Sequence, residues 1–384
     1  MTPYPPPEAH RRARGRSESM ERELKSFYSL LVLMAACGIT HAAPNARAFE
    51  FAQGVIVDAL HSVVYMSNAE ARIDAVSLFD GKVIATSTRG AKPLLLYNDV
   101  LLAAAQDRID TLSAVGLTTK DLKPRFELEL PLPGRVGTGS FYVGARIWRN
   151  EIIVQWRSIR RPMSAIPTRE PAVVTTGFAR IDTVTGRLIA AGEGEPPVPP
   201  APKFAIPAIV QKLVDGGKLA SPLCSVDNLV AALQYVEENG KRHMVLRRWS
   251  NDTGKSMPAV HLFGSEFTFR NFSRDCRHLL ASKEMDGGVW HVYSTITGKQ
   301  IAEIHNPLPG PEFFVSGANL IYQSPAAGES IAGRLRIDPP RLVAINLDLG
   351  KELWARPIGE PAYVGPHPSN PPGPSTEQLG IGGK

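Results

Sequence analysis

The sequence has few cysteines, and none of them stands in a metal-binding or redox spacing. Its 384 residues contain only Cys37, Cys224 and Cys276, and no Cys-x-x-Cys motif. Zinc motifs and thiol-redox motifs of that type are therefore excluded. Because Cys37 falls in an N-terminal leader, an oxidising compartment would allow one disulfide between Cys224 and Cys276. We expect two separate buried thiols in preference to that disulfide.

A strong net charge and a membrane-spanning apolar run are also absent. The formal net charge is +6, and part of it belongs to the leader. A charge this small on a chain this long does not predict a nucleic-acid partner. The apolar run at residues 26–36 is too short to span a bilayer comfortably.

No catalytic constellation stands out in the sequence. There is no Gly-x-Ser-x-Gly elbow, and Gly137–Ser140 lacks the lysine of a phosphate-binding loop. A solvated loop explains Asp107, Asp110 and Asp121 better than a calcium site does. The histidines are isolated, without metal-ligand spacing. We therefore predict no catalytic residue, no metal ligand and no cofactor.

Residues 1–43 read as a leader with a secretory signal peptide. Arg22 and Lys25 precede the short apolar run, and small residues ending at Ala42 follow it. Met20 is an alternative true start, because the residues before it do not resemble a signal. Cleavage after Ala42 would release a soluble protein. We expect export to the periplasm or to the outer membrane.

A second processing route competes with that cleavage. Leu33–Cys37 is similar to a bacterial lipobox, in which the cysteine is acylated and becomes the new N-terminus. The lipobox prefers leucine three residues before the cysteine, where this chain has Met34. Both routes remain open, and a lipid on Cys37 is the only membrane contact that we predict.

The chain is rich in turn residues, with 33 glycines and 33 prolines, and it repeats one unit. The unit is a strand, a tight turn with glycine, a basic residue and a second short strand. Glycine supplies the positive φ that such a turn needs. A sixth, degenerate copy at Leu117–Phe126 has lost its glycine. The turn glycines of the other five copies are Gly81, Gly186, Gly254, Gly298 and Gly350.

Repeats at this spacing predict an all-β fold, a β-propeller of six to seven four-stranded blades over residues 44–365. A seventh blade could be completed by Phe49–Val57 pairing with residues 362–364. Residues 208–214 could form a short helix, and residues 366–384 are expected to be disordered. We expect the tryptophans to pack between blades.

The copy Leu342–Trp354 resembles the repeat of pyrroloquinoline-quinone-type propellers, and the weaker resemblance spans residues 49–360. The resemblance implies a β-propeller. The quinone-dependent dehydrogenases of that superfamily also imply eight blades, an adjacent cysteine pair and a calcium-binding acidic set, and this sequence matches none of these. It is closer to the non-enzymatic branch, which includes an outer-membrane assembly lipoprotein that scaffolds protein partners.

Two functional hypotheses follow. The first is a non-catalytic scaffold that binds protein partners or a ligand in the bacterial cell envelope. The alternative is a propeller enzyme, a hydrolase or lyase, with its site at the mouth of the central channel.

Overall fold

The computed structural model describes residues 48–52, 54–105, 111–132, 140–160, 173–197, 207–221, 223–262, 269–282, 289–305, 312–331 and 334–359. All of them belong to the larger of two compact units, which covers Ala42–Lys384. The predictions for the leader (the signal peptide, the start at Met20 and the lipid at Cys37) lie outside the described residues. So does the prediction for the tail at residues 366–384.

The regular secondary structure of the described chain is β-strand apart from one helix, which confirms the predicted all-β class. Within it, the strands form six antiparallel sheets of four or five strands and one separate hairpin. Strands that follow one another along the chain are neighbours in each sheet, except where the hairpin interrupts the last one. Each large sheet is therefore built from local antiparallel connections.

The first three sheets are named A, B and C in chain order. Sheet A contains β1 (Ala48–Ala52), β2 (Val55–Asp58), β3 (Val63–Ser67), β4 (Ile73–Ser77) and β5 (Val83–Thr86). Sheet B contains β6 (Lys92–Tyr97), β7 (Val100–Ala105), β8 (Thr111–Thr118) and β9 (Pro124–Pro131). Sheet C contains β10 (Ser140–Trp148), β11 (Glu151–Arg160), β12 (Val173–Asp182) and β13 (Leu188–Glu193).

Helix α1 (Ala208–Asp215) precedes the last three sheets, which are named D, E and F. Sheet D contains β14 (Cys224–Val226), β15 (Leu229–Glu238), β16 (Lys241–Ser250) and β17 (Val260–His261). Sheet E contains β18 (Phe269–Phe272), β19 (His278–Ser282), β20 (Val289–Ser294) and β21 (Gln300–His305). Sheet F contains β22 (Phe313–Ser316), β23 (Asn319–Ser324), β26 (Arg341–Asn346) and β27 (Lys351–Pro357), and the hairpin β24 (Ala327–Ile331) and β25 (Arg334–Asp338) lies between β23 and β26.

Burial falls from the early strands of a sheet to its last strand. Every residue of β2 and β7 is buried, whereas most residues of β5 are exposed. A strand that is covered on both faces is a continuous apolar run, as Val100–Ala105 is. Each sheet therefore packs mainly through its early and middle strands, and its last strand contributes few buried residues.

The last two strands of all six sheets are joined by the same turn, as the repeat predicts. The amide of the fifth turn residue donates to the carbonyl of the first over 2.7–3.0 Å. In five copies that fifth residue is the predicted glycine, with φ between +63° and +75°. In sheet B it is Leu122, which keeps a positive φ of +54°. The degenerate copy has therefore lost the glycine and kept the turn.

The core lies between the sheets. Five buried clusters each combine residues of two sheets, and they join A to B, B to C, D to E, E to F and F to A. Each cluster can be represented by one residue from each of its two sheets. In the order just given, these pairs are Tyr65 with Leu101, Leu102 with Ile152, Leu246 with Leu279, Trp290 with Leu320, and Ile321 with Val57. Because both faces of a sheet are used, no sheet could bury its apolar residues alone.

Helix α1 covers the remaining face of sheet D. Its buried Val210 packs on Val230, Ala232 and Trp249. The predicted short helix is thus confirmed, and it begins at Ala208 and ends at Asp215.

Sheet F contacts sheet A directly, although they are the last and the first along the chain. Trp354 of β27 lies so close to Gly81 that a Cβ there would collide with its ring. Asn319 Nδ2 donates to the Leu78 carbonyl over 3.2 Å, and the Gly359 amide donates to the Ser67 carbonyl over 2.7 Å. Phe126 of β9 lies against Gly186 of sheet C in the same way.

The predicted contribution of residues 49–57 to a seventh blade is wrong. Phe49 pairs with Val57 in the hairpin β1–β2, which adds a fifth strand to sheet A. Gly54, with φ of +77°, provides the positive φ that this connection needs. The proposed partner at residues 362–364 lies outside the described residues.

Candidate functional site

Four charged side chains from four sheets lie together at or beside the first strands. Glu50 is on β1, Lys92 opens β6, Arg274 follows β18, and Glu312 directly precedes β22. Lys92, Arg274 and Glu312 all act electrostatically on the Glu50 carboxyl. We call these four residues the charge cluster.

Lys92 is the most deeply buried member of the charge cluster. Its side chain is 2% exposed, and Nζ lies 3.5 Å from the Val143 carbonyl oxygen. That oxygen is its one hydrogen-bond acceptor among the described residues. Burial lowers the pKa of Lys92 to about 8, and the charge of Glu50 opposes part of that shift. A lysine is almost never this buried without a partner, so the position is unusual.

Arg274 connects three sheets at the charge cluster. Its Nε donates to the backbone carbonyl of Glu50 over 3.1 Å, and its amide donates to the Phe313 carbonyl over 2.9 Å. Burial raises the pKa of the Glu50 carboxyl, while Lys92 and Arg274 oppose the rise. Desolvation also raises the pKa of Glu312, again against the charge of Arg274. Ionisation is therefore costly for the half-buried Glu50 carboxyl, and less so for Glu312, whose surface is exposed.

The charged groups of the cluster are near one another without being paired. Among these four described side chains, no nitrogen of Lys92 or Arg274 lies within 4.0 Å of a carboxylate oxygen of Glu50 or Glu312. Two cations balance two carboxylates, so the formal charge of the set is zero. Lys92 is buried, Glu50 and Arg274 are half-buried, and Glu312 is exposed.

The composition of the charge cluster suits binding better than catalysis. It contains no histidine, cysteine or hydroxyl side chain, so it has no nucleophile with an adjacent base. In the described part of the chain, no group of three or more His, Cys, Asp or Glu residues lies close enough to hold a metal ion. Buried ammonium, guanidinium and carboxylate groups can hold a ligand of complementary charge.

Cys224 and Cys276 are joined by a disulfide. Cys224 is on β14 of sheet D, and Cys276 is in the turn between β18 and β19 of sheet E. The expectation of two separate thiols is therefore wrong. Both cysteines precede similar strands, and the packing of sheet D on sheet E brings the two segments together. The bond closes a loop with a sequence separation of 52 residues.

Large apolar side chains are exposed on four of the six repeated turns. The exposed fractions are 67% for Phe79, 71% for Val184, 37% for Ile296 and 66% for Leu349. We call these four residues the apolar turn tips. At the turn position that Phe79 and Val184 occupy, sheet B has Lys120 and sheet D has Asp252. The turn therefore does not need an apolar side chain there.

The other predicted residues are not brought into one site. His61 contacts Asp58 over 2.7 Å, His261 lies 3.8 Å from Glu238, and His291 lies 3.7 Å from Glu303. These are separate pairs in different sheets. Asp121 accepts from Thr118 Oγ1 within its own turn, whereas Asp107 and Asp110 lie outside the described residues.

Three of the five tryptophans lie where the sequence predicts, between neighbouring sheets. Trp156 belongs to the cluster between B and C, Trp290 to the one between E and F, and Trp354 to the one between F and A. Trp249 packs under helix α1. Trp148 is half-buried and carries the guanidinium of Arg149 over its ring at 4.5 Å.

Sequence reasoning missed the charge cluster. Its local signal was a charge among apolar residues, as in Phe49-Glu50-Phe51 and in Glu312-Phe313-Phe314. A charge inside an apolar strand is a candidate for a buried or functional group. The four positions are far apart in the chain, however, and only the packing of the sheets brings them together.

Comparison with known proteins gives no family for this chain. No family model matches it, and no curated protein matches it. Among solved structures it is similar to the crystal structure of the computationally designed Ika8 protein, with 13% sequence identity and a TM-score of 0.30 over 80% of this chain and 89% of that one. A likeness at that score supports no conclusion about fold or function. No helix in the described residues is long and apolar enough to cross a membrane.

Proposed function

We propose that this protein is an exported six-bladed β-propeller that serves as a non-catalytic scaffold for protein partners in the bacterial cell envelope. The six sheets are its blades, in line with the resemblance of Leu342–Trp354 to the pyrroloquinoline-quinone-type repeat. The proposed localisation is the periplasm or the outer membrane, with a lipid on Cys37 as one of two processing routes.

The junction between sheets F and A supports a closed ring. Trp354 meets Gly81 there in the way that Phe126 meets Gly186 between sheets B and C, which are consecutive along the chain. A side chain of the preceding sheet also donates to a turn carbonyl of the next sheet, as Asn319 does to Leu78 and Arg248 to Ile296. A repeated junction that recurs between the last and first units is the mark of a closed array.

The disulfide supports export. Structural disulfides persist in secreted and periplasmic proteins and are rare in the reducing cytosol. The bond between Cys224 and Cys276 joins two sheets of the folded body. It would therefore form after the chain has reached an oxidising compartment.

The apolar turn tips are the observation that carries the scaffold proposal. In the proposed ring all six repeated turns face one end, so these four side chains share a surface. Exposed large apolar residues that folding does not require are typical of protein-interaction surfaces. The alternative, a propeller enzyme, needs converging catalytic groups, whereas the charge cluster offers two carboxylates already balanced by two cations.

The test compares two pairs of equivalent turn positions. A tagged protein is cross-linked in cells, with Phe79→Ser and Val184→Ser combined in one variant and Lys120→Ser and Asp252→Ser in the control. We expect the cross-linked partner bands to disappear in the apolar variant and to persist in the control. Bands that are equal in both variants, or absent with the unaltered protein, would contradict the proposal.

Two measurements on the same cells test the proposed export and N-terminal processing. We expect Cys224 and Cys276 to resist maleimide labelling until a reductant is added. Mass spectrometry of the mature N-terminus distinguishes an acylated Cys37 from a start at Ala43. Free thiols at both cysteines together with an intact leader would refute export.

A further inference from the structure

We propose that strand β1 occupies a strand-binding groove, and that an extended segment of a protein partner can take its place there. The segment that fits carries two large apolar side chains two residues apart, as β1 does at Phe49 and Phe51. The proposal rests on the scaffold function only in naming a protein as the partner. The groove shares no residue with the apolar turn tips, so a failure of either proposal leaves the other standing.

Strand β1 is additional to the repeated unit of the fold. Sheet A has five strands, whereas each of the other large sheets in the described part of the chain has four. Without β1, sheet A would still contain β2, β3, β4 and β5, which is the repeated set of four. β1 pairs only with β2 and joins it through a turn at Gly54, whose φ is +77°. It could therefore leave without breaking the pairing between any other strands.

The groove holds the main chain of β1 from two sheets. The edge of β2 pairs with it antiparallel, from Ala48 to Ala52. From sheet E, Arg274 donates from Nε to the carbonyl oxygen of Glu50 over 3.1 Å. Both contacts use main-chain atoms of β1, and every extended segment offers such atoms. A free strand edge accepts a strand from another chain by the same pairing.

Two side chains of β1 give the groove its selectivity. The rings of Phe49 and Phe51 both meet the ring of Phe314 in sheet F edge to face, with centroids 5.5 Å and 5.0 Å away. Phe51 is 0% exposed and Phe314 is 1% exposed, so water is excluded from this contact. A segment with small or polar side chains at these two positions would forfeit that burial. The groove therefore prefers segments with a large apolar residue at both.

Strand β1 is also the less buried strand of its hairpin. All four residues of β2 are buried, whereas only Phe51 is buried among the five residues of β1. Elements with few buried side chains open at a lower free energy than the strands of the core. β1 therefore belongs to the part of sheet A that opens first, and its departure would uncover the edge of β2.

The first experiment separates β1 from the chain after folding. A site for a sequence-specific protease is inserted at Gly54 of the full chain, and the folded protein is cut there. We expect a fluorescent peptide of residues 44–54 at about 10 µM to exchange into the cut protein, as measured by fluorescence anisotropy. The uncut protein should bind the peptide at least about tenfold more weakly, because its own β1 competes at a high effective concentration.

Two results of this experiment would overturn the proposal. One is a cut protein that keeps its fold by circular dichroism and does not bind the peptide. The other is a protein that unfolds when cut and does not refold with the peptide, which would make β1 a permanent part of the core. If the insertion itself prevents folding, Phe51→Ser in the uncut chain replaces it. That variant loosens β1 and should raise the affinity for the peptide at least about tenfold, and an unchanged affinity would refute the groove.

Variants of the peptide test the selectivity of the groove. We expect Phe49→Ser and Phe51→Ser together to weaken binding by at least about tenfold, because the contacts with Phe314 are lost. The control peptide combines Asn45→Ser and Arg47→Ser, which change only residues before β1, and it should bind as the parent peptide does. Similar losses with both peptides would show that the groove does not select the two apolar positions.

A change in the groove locates the bound peptide. Arg274→Gln in the cut protein removes a donor to the main chain of β1 and should weaken binding about fivefold. Arg277→Gln is the matched control, because Arg277 is exposed and pairs with Asp227 over 2.8 Å. If the two variants bind the peptide equally well, the peptide lies elsewhere and the assignment is wrong.

Light scattering distinguishes a protein partner from a second copy of this chain. The β1 strand of another copy has a sequence that fits the groove, and reciprocal exchange of that strand would give a dimer. We expect the uncut protein to be a monomer. A dimer that dissociates on addition of the peptide would assign the groove to a second copy and overturn the proposal of a different partner.

Discussion

At two junctions between sheets, the side chain that fills the space between a last strand and the neighbouring turn comes from opposite partners. Between F and A, a large side chain from the last strand, Trp354, fills the space beside a turn residue with no side chain, Gly81. Between A and B, the last strand offers the small Ala85, and the turn supplies Leu122, which is buried in the same cluster. Ala85 and Trp354 both stand four residues after the fifth residue of their turn. The filling side chain can thus come from either partner.

The comparison explains why the sheet B turn tolerates leucine. Leu122 adopts a φ of +54°, which costs a residue with a Cβ about 1 kcal/mol. Burial of its side chain offsets that cost, because a fully buried leucine contributes about 2 kcal/mol. At Gly81 no such gain is available, since Trp354 already occupies the space.

The largest effect should come from emptying the F–A junction. We expect Trp354→Ala to lower the free energy of unfolding by about 4 kcal/mol, because it leaves a cavity between two sheets. The control Trp148→Ala removes a half-buried ring that belongs to none of the described clusters between sheets, and should cost about 1 kcal/mol. Urea unfolding followed by tryptophan fluorescence and circular dichroism measures both. Equal losses would mean that Trp354 fills no junction.

Overfilling a junction should have the next largest effect. Gly81→Ala forces a Cβ into the ring of Trp354 and requires alanine at positive φ, so we expect a loss of about 3 kcal/mol. Gly350 has a similar φ of +63° but nothing within 4 Å of the position of a Cβ. Gly350→Ala should therefore cost only about 1 kcal/mol. The difference between the two variants isolates the steric contribution from the conformational one.

The smallest effect should come from exchanging one type of junction for the other. Leu122→Gly relieves the positive φ but loses a buried side chain, and we expect a net cost of about 1 kcal/mol. Adding Ala85→Phe should restore part of that loss, because the ring can enter the vacated space as Phe126 does beside Gly186. In the parent chain Ala85→Phe alone should be destabilising. A double variant no more stable than Leu122→Gly would show that the two junctions are not equivalent.

The repeated turn was predictable because its chemistry is local. Glycine at positive φ, followed by a basic residue and an apolar strand, identifies the turns at Gly81 and Gly350 without any knowledge of their neighbours. The sequence also indicated the sheet B turn near Leu122, although its glycine is missing. Leu122 packs in the same cluster as Ala85, which lies about 37 residues earlier in the chain, and that pairing depends on the arrangement of the sheets.

The disulfide and the charge cluster depend on contacts between distant segments. Cys224 and Cys276 are 52 residues apart, and the similar strands that follow them allow a disulfide without requiring one. Glu312 acts on the Glu50 carboxyl only because sheet F packs on sheet A. The hairpin β1–β2 was missed for the opposite reason. Its pairing is local, and the segment was instead assigned to a long-range closure with residues 362–364.

A double-mutant cycle between Gly81 and Trp354 tests ring closure most directly, since the two residues belong to the first and last sheets. The free energies of unfolding of Gly81→Ala, Trp354→Ala and the double variant are compared with that of the parent. If the last sheet packs on the first, Gly81→Ala should cost about 3 kcal/mol in the parent and only about 1 kcal/mol once the ring of Trp354 is gone. Strictly additive costs would show that the two residues do not touch, and would contradict the proposed closure of a six-bladed ring.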